Sequence, residues 1–189
     1  MSIPGHETQK STTGYTLTAI VLHWGTAALI IAGFALGEYM GDLAVSPMKL
    51  RLYSYHKWLG VTVFTLAVVR LAWRAFHAPP PFPQKMPSWE RAGALAAHAL
   101  LYALLFAIPV VGWLGSSAHG FQTVYLGVVP IPDLLAKNKE LAELLEEVHE
   151  QLNHALFLIV AAHIGAALKH HFIDKDDILR RMIGLGGRK

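Results

Sequence analysis

The sequence contains no cysteine. That excludes structural disulfides, iron–sulfur clusters held by thiolates, Cys-type zinc sites and haem attached covalently through C-x-x-C-H. Charge is scarce too. Asp, Glu, Lys and Arg make up 15% of the 189 residues, whereas hydrophobic residues make up 53%. With a positive mean hydropathy, this balance argues against an ordinary soluble globule and for a single membrane domain. The first 14 residues lack the basic, apolar, small-residue order of a secretory signal, and no internal repeat is visible. The basic pI invites a nucleic-acid reading, but membrane topology accounts for it, so no nucleic-acid partner is expected.

What the sequence has instead is long charge-free runs and histidine. Leu17 to Gly37, Trp58 to Val69, Ala92 to Ala118 and Gln151 to Leu168 carry no formal charge. Each marks a membrane crossing, since about 20 helical residues traverse the hydrocarbon. The turn residues Gly41, Asp42, Ser46 and Pro47 separate the first two spans, the second of which runs from about Arg51 to Phe76. Five prolines between Pro79 and Pro87 separate the second from the third, which Pro109 should kink. Leu134 to Val148 alternates leucines with acids at helical spacing and predicts a short amphipathic helix at the interface, leading into the fourth span.

The predicted fold is therefore all-α, an integral membrane four-helix bundle. Its parts are a polar tail (1–14), a transmembrane domain (15–173) and a basic tail (174–189). With both termini on one side, that side collects Lys10, Arg70, Arg74, Lys85, Arg91, Lys169 and the basic C-terminal tail. The other side holds only Lys49, Arg51, Lys57, Lys137 and Lys139, among more acids. The positive-inside bias places both termini in the cytoplasm.

Eleven histidines are many for so apolar a chain, and several fall within or beside the spans, where an ionisable side chain is costly. His149 and His163 stand 14 positions apart, within roughly 40° of one helix face and about 21 Å apart along it. The predicted topology puts His56 at the depth of His149, and His23 at the depth of His163. Two pairs of neutral imidazoles at two levels, each drawn from two helices, suit bis-imidazole ligation of haem iron. The bland alternative is a histidine hydrogen-bonded between helices. Zinc fits poorly without nearby thiolates or carboxylates. Small residues flank the candidates: Gly60 lies one turn after His56, and Ala162, Gly165 and Ala166 surround His163. They would admit a flat ring, or simply close helix packing. His98 is a candidate for a propionate or quinone contact, or a structural partner. His170 is the rival inner ligand, although it and His171 read better as contacts to propionates or headgroups. His154 reads as a packing residue, and His6, His77 and His119 as surface residues.

Several short stretches go together. They are Leu22-His23-Trp24, His56 with Gly60, Val68-Val69-Arg70-Leu71, Pro109-Val110-Val111-Gly112, His149-Glu150, His163, His170-His171-Phe172 with Lys175-Asp176, and Leu179-Arg180-Arg181-Met182. With these the sequence resembles the prokaryotic cytochrome b561 family, most closely its short superoxide oxidase type, from about Tyr15 to Met182. The resemblance implies two non-covalent haem b groups with His23, His56, His149 and His163 as axial ligands. It implies a multi-pass protein of the bacterial inner membrane that moves electrons to or from ubiquinone. In the superoxide oxidase type, superoxide is oxidised to dioxygen on the periplasmic face and quinone is reduced. The alternative within the family is a cytochrome b subunit serving a periplasmic dehydrogenase or hydrogenase partner. Lys49, Arg51 and Lys57, clustered around His56, are candidates for steering superoxide, with ordinary interfacial anchoring as the competing role. Arg70 and Arg91 are candidates for contacts to propionate or quinone, with topology-setting snorkelling as theirs.

Overall fold

A computed structural model describes residues 14–185. Expectations for 1–13 and 186–189, including a surface position for His6, lie outside the described residues. Four long helices form the body: α1 (Leu17–Gly41), α2 (Pro47–Phe76), α3 (Ser88–His119) and α4 (Lys139–Phe172). Between α3 and α4 lie two short strands, β1 (Thr123–Tyr125) and β2 (Val129–Ile131), and a short helix α5 (Ile178–Met182) follows α4. All four long helices are long and apolar enough to cross a membrane. The architecture is the expected all-α membrane four-helix bundle. Both ends of the described chain lie at one end of it, the terminal end. The strand pair lies at the other, the hairpin end.

Local chemistry fixes the helix ends. Thr16 Oγ1 accepts the Ala19 N–H at 3.2 Å and Asn138 Oδ1 accepts that of Leu141 at 3.0 Å. Ser46 caps α2 just before Pro47, which is preorganised for a first helical turn. Gly120, at φ 78, ends α3 in the left-handed conformation that glycine takes without a Cβ clash.

The segment between α3 and α4 departs from expectation. No separate amphipathic helix forms: Leu134 and Leu135 lie in a loop, and the acidic stretch from Lys139 onward is the start of α4 itself. At 34 residues α4 is about 51 Å long, well beyond the ~30 Å hydrocarbon core, so its polar first turns project past the membrane without a break. The hairpin of β1 and β2 was not foreseen either, because strands of three residues leave no readable period. Its turn uses Leu126 and Gly127, both at positive φ. Trp58 Nε1 donates to the Val124 carbonyl at 2.7 Å, Lys57 Nζ to that of Phe121 at 3.0 Å, and Trp113 Nε1 to that of Pro132 at 3.2 Å. These bonds clasp the hairpin segment onto α2 and α3.

Packing is tightest between α3 and α4 and between α1 and α2. Two apolar clusters fill the middle of the bundle: Val63, Ala67 and Leu105, and Leu104, Ile108 and Leu156. Outward-facing apolar side chains such as Val21, Ile31 and Leu158 are exposed, as a surface solvated by lipid requires. At the terminal end, the segment read as a basic tail is partly ordered. Trp24 Nε1 donates to the Met182 carbonyl at 3.0 Å, and Arg181 Nη1 to that of Pro81 at 2.8 Å.

Candidate functional site

Four histidines meet in two pairs inside the bundle. At the hairpin end, α2 carries His56 and α4 carries His149, with ring centroids 6.2 Å apart and planes at 79°. At the terminal end, α1 carries His23 and α4 carries His163, with centroids 6.4 Å apart and planes at 57°. A metal–imidazole bond is about 2 Å long, so two imidazoles that face each other across one metal ion hold their centroids about 6.3 Å apart. Both pairs stand at that separation.

Backbone and glycines set each ring. His149 Nδ1 donates to the Ile108 carbonyl at 3.0 Å, which fixes the tautomer and leaves Nε2 for a metal. That carbonyl immediately precedes Pro109, where the helical ladder of α3 is loosened. His56 Nδ1 is buried without a hydrogen-bond partner of good geometry among the described residues, although the Gly33 carbonyl is its neighbour. Gly37 presses on His56 and Gly112 on His149: an added Cβ would lie 3.3 Å and 2.9 Å from the respective Cε1 atoms. By contrast, a Cβ on Gly33 or Gly60 would meet nothing within 4 Å. These two glycines line an apolar cleft among all four helices, with His56 and His149 on its wall. Open space beside two metal-competent imidazoles, walled by apolar side chains, is what a flat hydrophobic macrocycle needs.

The terminal-end pair has polar company. Arg70 Nη2 lies 3.1 Å from His23 Nδ1, and its guanidinium stands over the Tyr102 ring at 5.6 Å. His98 lies edge-on to His163, with centroids 5.4 Å apart, so three imidazoles gather at this level. Arg91 stays at the surface, over the Phe82 ring at 5.9 Å, and does not join them. His170, weighed as a rival ligand and as a propionate or headgroup contact, is occupied otherwise. Its Nδ1 lies 2.8 Å from Asp176 Oδ2 and 3.0 Å from Asp174 Oδ2. Lys169 beside it pairs with Glu90 and, at 3.0 Å, with Asp174. His154 is exposed, His77 stacks on Trp73, and His119 is half-buried, 3.5 Å from Glu146. Of the three steering candidates, Lys49 Nζ donates to the carbonyls of Gly41 and Leu43 at 3.2 and 2.6 Å. Lys57 Nζ donates to Ser116 Oγ at 2.9 Å as well as to Phe121, and Arg51 is exposed.

Sequence reasoning missed the glycine contacts, the Ile108 acceptor and the closeness of His98 to His163. Gly112 was visible only as part of Pro109-Val110-Val111-Gly112. A proline followed three residues later by glycine signals a loosened helix with close approach, not what approaches.

Fold and site together define a membrane-embedded protein that carries paired imidazoles on facing helices. The model of the prokaryotic cytochrome b561 family matches residues 14–185, and the chain belongs to that family. It is 36% identical over 172 residues to cytochrome b561 homolog 2 of Escherichia coli (strain K12), covering 90% of this chain and 91% of the relative. It is 30% identical to cytochrome b561 homolog 1 of the same organism, covering 89% and 96%. The probable superoxide oxidase CybB of Yersinia pestis is 26% identical over 179 residues, covering 89% and 95%. The chain is thus a multi-pass bacterial membrane protein of a haem b electron-transfer family. The imidazole pairs and the glycine-lined cleft fit that cofactor.

Proposed function

We propose that the chain binds two non-covalent haem b groups, one between His56 and His149 and one between His23 and His163, and conducts electrons between them across the inner membrane. The observation that carries this reading is the pair of centroid separations, 6.2 and 6.4 Å, at two levels of one bundle. Haem bound there supplies a one-electron carrier at each level. The chain's own contribution is to hold neutral imidazoles in fixed orientation, keep water out with the apolar clusters between the levels, and set the local charge.

The positive-inside bias supports cytoplasmic termini, so the hairpin end faces the periplasm. Electrons arrive there from superoxide. Two superoxide anions lose one electron each and leave as two dioxygen molecules. One ubiquinone takes the two electrons with two protons and becomes ubiquinol. Lys49, Arg51 and Lys57 give the hairpin end local positive charge beside His56, which favours an anionic donor. At the terminal end His98 and Arg70 are the polar groups nearest the second pair, suited to a propionate or a quinone carbonyl. Arg91 supplies positive charge at the rim.

The test is absorbance and stopped-flow spectroscopy of purified protein. The expected result is two haems per chain with sharp bis-imidazole α and β bands on reduction. Superoxide should reduce them rapidly, and a ubiquinone analogue should reoxidise them. Material with no haem would overturn the reading.

A second reading rests on the hairpin. Phe121, Leu126, Val128 and Val129 form an exposed apolar rim at that end, 55–75% accessible. Such a rim suits a periplasmic dehydrogenase or hydrogenase as electron donor. Haem that superoxide leaves oxidised, but a partner protein reduces, would favour it.

A further inference from the structure

Arg70 separates the two levels electrostatically. It sits inside α2, 3.1 Å from His23 Nδ1, and no carboxylate lies within ion-pair distance of it among the described residues. It also stands over the face of Tyr102, which carries no formal charge. A guanidinium stays protonated and only donates, so a His23 that held metal through Nε2, with its proton on Nδ1, would keep this cation as a charged neighbour and not as a hydrogen-bond partner. The terminal-end pair therefore has an uncompensated positive charge against one of its imidazoles, in a low-dielectric bundle where such a charge acts strongly.

The hairpin-end pair has the opposite environment. His149 Nδ1 donates to the Ile108 carbonyl, and His56 Nδ1 lies beside the carbonyl of Gly33. Donating to a carbonyl makes an imidazole a more basic ligand, which favours the oxidised metal. The lysines nearest His56 are partly spent on backbone carbonyls: Lys49 on Gly41 and Leu43, and Lys57 on Phe121.

We infer that Arg70 is the potential-setting residue of the chain: it makes the His23–His163 centre the stronger electron acceptor, so that an electron moves downhill from the hairpin end to the terminal end. One electron leaves the first centre and one arrives at the second, with no proton required in the step. A propionate paired with Arg70 would leave the sign unchanged, because removing the guanidinium would then strand a bare anion at the same centre. Direction is thus built into the protein by the guanidinium nearest His23, independent of the donor or acceptor outside.

The inference rests on the two-centre reading, and the experiment separates their failures. The haem-loaded protein in detergent is titrated spectroelectrochemically on its α band, as wild type, Arg70→Gln and Arg70→Lys. His56→Ala, which retains only the terminal-end centre, assigns the waves; His149→Ala serves if that variant does not accumulate. Wild type should show two one-electron waves, the higher being the one that survives in His56→Ala. Arg70→Gln should lower that wave by at least a tenfold change in the electron-transfer equilibrium, 59 mV for one electron, and leave the other in place. Arg70→Lys should restore most of it. Two waves with the surviving one lower, or a shift in Arg70→Gln confined to the other wave, would overturn the role of Arg70 while leaving the two-centre reading intact. A single haem in wild type would overturn that reading instead.

Discussion

Gly112 on α3 faces His149 on α4 so closely that a single methyl group would stand 2.9 Å from the imidazole Cε1 and 3.1 Å from Nδ1. Real Cβ atoms do not approach that near, and α3 and α4 are tightly packed against each other. Either the ring must turn or the helices must part, at a cost of about 1–3 kcal/mol typical of overpacking. Turning the ring breaks the bond from Nδ1 to the Ile108 carbonyl that fixes its tautomer. Gly112→Ala should therefore lower the haem content of the purified protein by about half, with the loss at the hairpin-end centre. Gly37→Ala, whose Cβ would meet His56 at 3.3 Å, should have a smaller effect. Pyridine haemochromogen assays on both variants give the ratio directly; full loading of Gly112→Ala would show that His149 does not need its present pose.

The clasp at the hairpin end yields a second prediction. Trp58 Nε1 to Val124 O, Lys57 Nζ to Phe121 O and the Thr62 Oγ1–Tyr125 OH hydrogen bond hold β1 and the residues before it against α2. Trp58→Phe removes one donor and keeps the ring, at about 0.5–1.5 kcal/mol. The expected outcome is faster backbone hydrogen exchange confined to residues 121–131, with α4 unchanged. Exchange that rises equally along α4 would mean that hairpin and bundle open as one unit.

Much of this arrangement was legible in the residues. Charge-free runs gave the four spans because hydrocarbon tolerates little else. The histidine depths brought His56 to His149 and His23 to His163 because helical rise converts position into depth. What stayed hidden was lateral. His98 stood out as a candidate contact for propionate or quinone, but nothing in its flanking residues says that it turns toward His163 rather than toward lipid. His170 lay on nearly the face of His163, one heptad on, yet it is held by Asp174 and Asp176, which follow the end of α4. Asp174 is one helical turn on from His170, and the left-handed Lys175 then brings Asp176 back to the same ring. The hairpin and α5 escaped because elements of three to five residues carry too few positions to show a period.

His170 leads to a third prediction. Its Nδ1 is shared by Asp174 and Asp176, while Lys169 reaches Glu90 on α3, so one cluster ties the segment after α4 to the bundle. Asp176→Asn weakens the bond to His170 and the Asp176 Oδ1 acceptor for the Ile178 N–H that starts α5. The segment 173–185 should become a target for limited proteolysis, with the haem spectrum of the bundle unaltered. Spectral change without new cleavage would place the cluster in the redox site rather than beside it.

The last prediction concerns how an anion reaches the hairpin end. Lys49, Arg51 and Lys57 cluster around the start of α2, but their charges are not equally available. Lys49 and Lys57 are held on carbonyls, so converting them to neutral residues would also loosen the α1–α2 connector and the clasp. Arg51 is exposed and makes no ion pair among the described residues, which makes it the clean test of charge alone. If superoxide is steered by this field, its second-order rate should fall as salt rises, because the Debye length shortens from about 30 Å at 0.01 M to about 8 Å at 0.15 M. Arg51→Gln should slow the reaction roughly twofold at low salt and not at all at high salt, the pattern expected of a long-range effect on encounter. Changing all three to Gln should slow it further at low salt, with any residual deficit at high salt reporting the structural roles of the two lysines. Stopped-flow haem reduction across an ionic-strength series reads each of these, and a rate in Arg51→Gln that matches wild type at 0.01 M salt would remove the steering role from this face of the protein.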